Sequence, residues 1–314
     1  MKSPQPRKAA QQHTLKASVT FKGVGLHSGA AVTCTVHPAD MGTGIIFRRS
    51  DLRGKPQIRA DISRVVRTDL STMLGDRQGA VVGTVEHLMA ALRGMGVDHA
   101  LIEVDGPEVP IMDGSSLAFA QAIAAAGLKT VALSRKVLRL RKALEVHIQD
   151  KWIKAVPHNS LVIGGTIDFK HTIIGEQSYE FGPGGDFLED LAAARTFGFL
   201  KEVEYLHKKG LAKGGSLENA IVLDEQRVLN PEGLRFADEF VRHKVLDALG
   251  DFALLGLSMQ AKIQVNKSGH ELHAAFLHKI LEEPSHYEII ELFATGAEDA
   301  VPDSMLDLGF AIPA

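Results

Sequence analysis

Two helix–strand–helix patterns, one in each half of the chain, constrain the fold more than any other feature of the sequence. In the first half, apolar residues repeat at i, i+3, i+4 and i+7 over residues 85–92, an alternating strand pattern follows at 99–106, and a second helix pattern covers 117–127. The same order of helix, alternating strand and helix returns over residues 236–283. Because β-rich sequence precedes each unit, the pattern predicts an internal duplication.

Local signals mark the boundaries within this pattern. Thr84 is a good N-cap residue for the first helix, and Asp238 for the long helix of the second half. The join between the two units is expected in the basic stretch at 133–142. Residues 187–209 break the symmetry, because their helix-like segments have no counterpart in the first half. Insertions of this kind often carry substrate-specific contacts.

The charge balance excludes one class of partner. The 314 residues carry 35 basic and 38 acidic side chains, a formal net charge of −3. Nucleic-acid-binding domains need a basic excess, so we expect no nucleic-acid partner. The length fits about two domains, and a hydrophobic content of 45% excludes a disordered or fibrous chain.

The cysteine content limits the possible cross-links and metal sites. Cys34 is the only cysteine, so the chain cannot form an internal disulfide, and a metal site must use carboxylates or some of the 14 histidines. No apolar run reaches the ~18 residues of a membrane helix, and residues 1–14 lack the apolar stretch of a secretory signal. We therefore expect a cytoplasmic protein without an integral membrane segment. We also expect a monomer, although no sequence feature determines the oligomeric state.

The densest candidate for chemistry is RHKVLDALGD at 242–251. His243, Asp247 and Asp251 are spaced four residues apart and share one helix face. A nitrogen and an oxygen ligand at this spacing suit zinc. A polar helix face or a simple His–Asp pair has the same spacing, although the apolar opposite side indicates that the polar face points at something specific.

Two weaker signals complete a candidate centre. Glu86 and His87 are adjacent, so their side chains point ~100° apart on a helix, and a glutamate early in a helix is also favoured by the helix dipole alone. His270 lies in KSGH between a strand and a helix, a place that also suits a capping or surface histidine. Taken together, His87, His243 and Asp247 leave the fourth zinc position open, as in catalytic zinc sites. With Glu86 as general base and His270 as general acid, the residues indicate metal-assisted hydrolysis.

Six motifs in series resemble one enzyme family. The chain contains, in this order, GVGLHSG, TVEHLMAAL, EVPIMDGSS, ARTFGF, VLNPEGLRFADEFVRHKVLDALGD and KSGH. The series is similar to that of the UDP-3-O-acyl-N-acetylglucosamine deacetylases, from about residue 12 to about residue 292. The resemblance implies a metal-dependent amidohydrolase that releases acetate from UDP-3-O-(3-hydroxyacyl)-N-acetylglucosamine, the committed step of lipid A biosynthesis in Gram-negative bacteria.

The resemblance also implies a role for individual residues. The residues that match the zinc ligands are His87, His243 and Asp247. The residues that match catalytic groups are Glu86, His270, Asp251, Thr196 and Lys244. The residues that match substrate-binding groups are Leu26, His27, Phe197, Phe199 and Lys267.

The implied mechanism uses one Zn²⁺ per chain, with Fe²⁺ as an alternative in vivo. A metal-bound water attacks the amide, and Glu86 takes a proton from it as general base. Protonated His270 acts as general acid toward the leaving amine, and the neighbouring Asp251 should raise the pKa of its imidazole.

The fold implied by the resemblance is an α+β, two-domain β-α-α-β sandwich from an internal duplication, with the helices packed between two sheets. It divides the chain into a flexible N-terminal extension at 1–11, domain I at 12–133, domain II at 134–298 with an insert at about 187–222, and a C-terminal tail at 299–314. The insert would form a hydrophobic passage for the acyl chain of the substrate.

The sequence departs from the family pattern at one place, and two alternative functions are considered. ELHAAF follows KSGH where enterobacterial members carry an Asn pair, so His273 lies in the neighbourhood of His270. A zinc amidase that acts on another N-acyl sugar is one alternative. A nucleotide-sugar-binding scaffold with a decayed site is the other, and the presence of all the proposed ligands and proton-transfer residues argues against it.

Overall fold

Residues 10–292 are described by a computed structural model of the chain. The predicted N-terminal extension lies outside these residues, apart from residues 10 and 11. The predicted tail at 299–314 and the end of the predicted domain II at 293–298 also lie outside them.

Helices form where the apolar residues repeat with the helical period. The α-helices of the described range are α1 (Glu86–Gly94), α2 (Leu117–Ala126), α3 (Phe187–Asp190), α4 (Leu200–Lys208), α5 (Glu239–Phe252) and α6 (His270–Glu282). Short 3-10 turns cover Ile62–Arg64, Ala253–Leu255 and Pro284–His286. The helices α1, α2, α5 and α6 confirm the four main helices that the sequence predicts.

Strands account for most of the remaining elements. In the first half they are β1 (Gln11–Leu15), β2 (Val19–Val24), β3 (Ala31–Pro38), β4 (Ile45–Arg49), β5 (Gln57–Arg59), β6 (Val65–Arg67), β7 (Met73–Gly75), β8 (Val81–Val82) and β9 (Ala100–Val104). In the second half they are β10 (Leu128–Leu140), β11 (Leu144–Ile148), β12 (Lys151–Pro157), β13 (Leu161–Phe169), β14 (Gly175–Phe181), β15 (Phe197–Phe199), β16 (Ile221–Leu223), β17 (Ser258–Asn266) and β18 (Tyr287–Leu292).

Two large sheets form the frame of the molecule. A five-stranded sheet has the order β2-β3-β9-β4-β5, and an eight-stranded sheet follows the path β1-β10-β17-β12-β11. In the larger sheet, β13 joins β17 to β14, and β18 pairs with β10. Smaller sheets are built from β6-β7-β8 and from the parallel pair β15-β16.

The helices pack between the two large sheets. On one side α2 contacts β2, and on the other α5 contacts β13 and β14 while α6 contacts β11 and β12. The two layers meet where α1 packs along α5. Strand β17 illustrates why helices pack on the sheet. It alternates half-buried and buried residues along its whole length, so one of its faces is apolar and buried. The α+β class is confirmed, and the internal duplication stays a prediction.

The close approach of α1 and α5 depends on one glycine. A Cβ atom at Gly250 would lie 2.1 Å from the carbonyl oxygen of Glu86 and 3.1 Å from the backbone nitrogen of Ala90. Backbone atoms cannot rotate away as a side chain does, so α5 reaches α1 at this distance only without a side chain at position 250. The contact lies at the first turn of α1, which carries Glu86 and His87.

We expect Gly250→Ala to destabilise the protein by about 1–3 kcal/mol, the usual cost of overpacking. In an exposed helix the same change would stabilise by about 1 kcal/mol, so a loss of stability identifies the helix contact as the cause. Urea denaturation followed by circular dichroism measures the effect. Gly198→Ala is the matched control, because a Cβ atom at Gly198 meets no atom within 4 Å. Equal stability of the two variants would contradict the prediction.

The predicted boundary between residues 133 and 134 falls inside β10 rather than in a loop. Residues 128–134 of this strand pair with β1, whereas residues 135–140 pair with β18, and Val137–Arg139 also pair with β17. The boundary therefore coincides with a change of pairing partner along a continuous strand.

Candidate active site

Three buried side chains from two helices meet at the contact of α1 and α5. His87 comes from α1, and His243 and Asp247 come from successive turns of α5. The Asp247 Oδ1 atom lies 3.5 Å from His87 Nε2 and 3.3 Å from His243 Nε2. One ligand atom of each residue lies within 4.8 Å of the others. His243 and Asp247 thus lie on one face of α5, as their spacing predicts. The packing of α1 against α5 brings His87 to the same place.

The protonation states of these residues suit a cation. Burial lowers the pKa of His243 to about 3, so its ring is neutral near pH 7. His243 Nδ1 donates to the Ala194 carbonyl oxygen at 3.1 Å, which leaves the Nε2 lone pair directed toward Asp247. Burial opposes ionisation of Asp247, but the positive charge around it, including the Lys244 ammonium, outweighs burial and holds the pKa of Asp247 well below its ordinary value.

A polar atom without a hydrogen-bond partner indicates where a cation fits. Among the described residues, Asp247 Oδ1 is buried and accepts no hydrogen bond, although it lies between the two imidazoles. A buried anionic oxygen without a donor is costly. Two imidazole nitrogens and one carboxylate oxygen form a donor set that binds divalent metals. These three residues therefore form a candidate metal centre.

A second buried cluster lies beside this centre. Glu86 is the neighbour of His87 on α1, and its Oε1 atom lies 3.8 Å from His270 Nε2. His270 is the first residue of α6, and its Nδ1 donates to Asp251 Oδ2 at 2.7 Å. Burial raises the pKa of Glu86. For His270, burial opposes protonation, but Asp251 and Glu86 outweigh it and raise the pKa to about 9, as expected from the sequence.

In the metal-free protein we expect the His270 imidazole to titrate near pH 9. Its folded-state pKa lies above the ordinary value of 6.5, so its contribution to the free energy of unfolding is fully present below pH 6.5 and is lost as the pH rises through 9. An NMR titration of the His270 ring resonances measures the midpoint. Asp251→Asn should lower the midpoint by about 1 to 3 pH units, and a midpoint that does not move would contradict the assignment of Asp251 as the main cause.

The carboxylates of this second cluster are held by Thr72, which the sequence did not indicate, and by His273, which the sequence placed near His270. The Thr72 hydroxyl donates to Asp251 Oδ1 at 2.6 Å, and its backbone N–H donates to Glu86 Oε2 at 3.1 Å. His273 Nδ1 donates to Asp251 Oδ2 at 2.7 Å. The spacing of three residues between His270 and His273 on α6 was a visible signal, whereas Thr72 lies in a short segment without periodicity.

Glu108 is a further residue that sequence reasoning missed. Its carboxylate accepts from the Thr84 hydroxyl at 2.7 Å, from the backbone N–H groups of His27 and Ser28 at 3.0 Å each, and from the Ser28 hydroxyl at 2.8 Å. It therefore ties the β2–β3 loop to the segment that precedes Glu86. No local pattern around Glu108 indicates these contacts.

The predicted N-cap role of Thr84 is wrong. Helix α1 begins at Glu86, and Val85 occupies the cap position without a side-chain hydrogen bond. Thr84 instead has a φ of +54°, a strained conformation for a β-branched residue, and its hydroxyl donates to Glu108. Tertiary contacts have overridden the local capping preference at this position.

The other predicted catalytic residues lie close to the metal cluster. Lys244 Nζ donates to Asp247 Oδ2 at 2.9 Å, the oxygen that does not face the imidazoles. Thr196 is two residues beyond Ala194, the carbonyl partner of His243. Lys244 therefore borders the cluster from α5, and Thr196 lies in the segment before β15 that also holds the carbonyl partner of His243.

The predicted aromatic residues extend away from the cluster. The Phe197 ring lies 6.5 Å from the His243 ring and 5.5 Å from Lys244 Nζ. Phe199 lies farther along β15 and packs on Phe169 at 5.9 Å. Phe197 also contacts Phe169, at 5.6 Å, so these rings form one apolar surface that begins at the metal ligands.

Leu26 and His27 lie in the β2–β3 loop, which packs against the segment at 212–214. The Leu26 carbonyl oxygen accepts from the backbone N–H of Gly214 at 3.0 Å, and His27 Nδ1 accepts from that of Ala212 at 3.4 Å. Burial lowers the pKa of His27. The loop therefore presents a half-buried leucine and a neutral histidine.

Lys267 is paired with carboxylates. Its Nζ atom lies 2.9 Å from Asp168 and 3.6 Å from Asp150, and the hydrogen bond that Lys267 donates to Asp168 raises the pKa of Lys267. An anionic ligand at this lysine would have to compete with both carboxylates.

Comparison with known proteins identifies the family. The model of the UDP-3-O-acyl N-acetylglycosamine deacetylase family matches residues 12–282. The chain is 50% identical over 280 residues to UDP-3-O-acyl-N-acetylglucosamine deacetylase of Myxococcus xanthus, which covers 89% of each protein. It is 48% identical over 282 residues to the Geobacter sp. protein of that name (89% of this chain, 92% of the relative). It is 44% identical over 292 residues to that of Nitratiruptor sp. (93% and 97%). The chain belongs to the UDP-3-O-acyl-N-acetylglycosamine deacetylase family.

Proposed function

We propose that this chain removes the N-acetyl group from UDP-3-O-acyl-N-acetylglucosamine and releases acetate, a step of lipid A biosynthesis. One observation carries the proposal. A buried metal-ligating cluster, His87, His243 and Asp247, lies directly beside a carboxylate and an imidazole suited to proton transfer, Glu86 and His270. Amide hydrolysis needs both an electrophile and a pair of proton-transfer groups.

We assign zinc as the metal, one ion per chain. When bound, zinc acts as a Lewis acid that polarises a carbonyl oxygen and lowers the pKa of water. Three protein ligands of the His-His-Asp type leave a position free for substrate, as in catalytic zinc sites. The same nitrogen and oxygen donors also bind Fe²⁺, which is the alternative in cells.

The side chains of this protein perform the proton transfers. Glu86 takes a proton from the water that attacks the acetamide carbonyl carbon, a role that suits a buried carboxylate with a raised pKa. Protonated His270 donates a proton to the leaving nitrogen as the C–N bond breaks, and the Asp251 carboxylate keeps the imidazole protonated. The Thr196 hydroxyl and the Lys244 ammonium stabilise the negative charge on the oxygen of the tetrahedral intermediate.

The substrate contacts are proposed on both sides of this centre. Phe197 and Phe199 border the sugar and acyl chain, and the insert at about 187–222 forms the apolar passage. Leu26 and His27 contact the substrate from the β2–β3 loop. Lys267 binds the diphosphate of the substrate. To do so, the negative charge of the diphosphate must compete with the carboxylates of Asp168 and Asp150, which pair with Lys267.

The organisation of the whole chain is proposed from the same family resemblance. Domain I spans 12–133 and domain II spans 134–298, and the protein acts as a cytoplasmic monomer that does not bind nucleic acid. Within residues 10–292, none of the helices has both the length and the apolar character needed to cross a bilayer.

Acetate release by the purified protein tests the proposed function. We expect acetate from UDP-3-O-acyl-N-acetylglucosamine and much less from the substrate without its 3-O-acyl chain. Equal rates on both would favour an amidase for other N-acyl sugars. Absence of acetate release and of bound metal after gentle purification would instead favour a nucleotide-sugar-binding scaffold.

A further inference from the structure

The Asp251 carboxylate is shared by two histidines of α6, of which the proposed mechanism uses only His270. His273 is fully buried, and its Nδ1 donates to the same Oδ2 atom that accepts from His270, each at 2.7 Å. The Thr72 hydroxyl donates to the other oxygen. Three donors, two from α6 and one from Thr72, therefore hold this one carboxylate.

The hydrogen bonds of His273 determine its tautomer. The pKa of Asp251 lies below its ordinary value, because His270 and His273 outweigh its burial, so the carboxylate only accepts. His273 Nδ1 therefore carries a proton. The other ring nitrogen, Nε2, lies 2.9 Å from Ser268 Oγ and shares a hydrogen bond with it.

His273 thereby connects two parts of the structure that both orient His270. One is the Asp251 carboxylate on α5, and the other is the turn between β17 and α6, in which Ser268 lies two residues before His270. Any buried imidazole needs hydrogen-bond partners for both ring nitrogens, so the identity of the two partners is what matters. Here each ring nitrogen bonds to a group that fixes the position of His270.

We propose that His273 is a positioning residue: it holds the Asp251 carboxylate and the Ser268 turn in one arrangement and so directs His270 Nε2 toward the leaving amine. The inference rests on the role proposed for His270. With Nδ1 bonded to Asp251, the ring directs Nε2 to the catalytic side, where it lies 3.8 Å from Glu86. A rotation of the Asp251 carboxylate would turn the imidazole away.

Any pH measurement on His270 must take its whole surroundings into account. The titratable groups that act on it from the elements around it are Asp251 and Asp247 on α5, Glu86 on α1, His27 in the β2–β3 loop and His273 on α6. A His273 variant keeps the first four side chains, so a change in the pH profile reflects the loss of the His273 hydrogen bonds, above all the bond to Asp251.

The test compares three variants with native protein of measured metal content. His273→Leu removes both hydrogen bonds, His273→Asn keeps an N–H donor for Asp251, and Ser268→Ala removes the partner of Nε2. His278→Leu is the matched control, because His278 is exposed on the same helix. The readouts are kcat, KM and the high-pH limb of kcat/KM for acetate release.

We expect His273→Leu to lower kcat by about 10- to 100-fold with little change in KM, the usual effect of losing a residue that orients a functional side chain. The high-pH limb should move to higher pH, because Asp251 then keeps more of its negative charge for His270. His273→Asn should restore most of kcat and the native limb, and Ser268→Ala should lower kcat by less than His273→Leu does. The His278→Leu control should match native protein.

Native kcat and a native high-pH limb in His273→Leu would overturn the inference, as would a His273→Asn protein no better than His273→Leu. If His273→Leu does not fold, native kcat in Ser268→Ala overturns the inference about His273.

The His270→Ala variant distinguishes failure of the inference about His273 from failure of the proposed function. Full activity of His270→Ala would reject the role of His270 itself, whereas loss of activity there with an unaffected His273→Leu would reject only the positioning role.

Discussion

Glu86→Gln is expected to lower kcat for acetate release by about 10²- to 10⁴-fold, the usual contribution of a general base. Glutamine has the volume of glutamate and an amide oxygen that can still accept from the Thr72 N–H, so the pocket should keep its shape. It cannot take a proton from water. Because Glu86 is not among the proposed ligands, the zinc content of the variant should equal that of native protein, as measured by elemental analysis.

Glu282→Gln is the matched control for this variant, because Glu282 is exposed near the end of α6. It should keep native kcat and native zinc content. If Glu86→Gln kept near-native kcat, Glu86 would not be the base. If the variant lost its zinc as well as its activity, Glu86 would have to be reassigned as a ligand.

His243→Ala is expected to lose both metal and activity. Removal of one of three ligands leaves His87 and Asp247, from different helices, to hold the ion. A change in a residue that only orients a ligand costs about 10- to 100-fold in metal affinity or activity, so loss of a ligand itself should exceed 100-fold. Zinc titration of the metal-free protein measures the affinity, and acetate release measures the activity.

His87→Ala should reproduce this result from the opposite helix, whereas His278→Ala on the exposed face of α6 should behave as native protein. Circular dichroism of each metal-free variant separates a folding defect from a loss of ligation. Unchanged zinc affinity in His243→Ala would remove it from the ligand set.

Part of the candidate site could be predicted from local spacing alone. His243 and Asp247 lie one helical turn apart, so any helix over these residues places both on one face. Adding His87 requires α1 to lie against α5, and that contact depends on the missing side chain at Gly250. No periodic pattern in either helix indicates such an approach. The sequence alone offered His87 only as a weak candidate beside Glu86, and the family resemblance then matched it to a zinc ligand.

The residues that sequence reasoning missed act through long-range contacts. Thr72 and Glu108 lie in short, aperiodic segments, and their partners are distant in the chain. Thr84 is a residue for which the local signal was misleading. Its residue type favours a helix cap, but its contact with Glu108 accompanies a strained backbone conformation. For the fold, the main helices and the alternating strand β17 were predictable because their periods are local.

The course of β10 has a consequence for how substrate enters. The strand passes without interruption through the proposed domain boundary, with ladder hydrogen bonds to β1 before it and to β18 after it. A hinge rotation of one half against the other would have to break part of these ladders. Access to the metal centre is therefore expected to come from local movement of surface segments, such as the β2–β3 loop against residues 212–214, and not from the opening of two lobes.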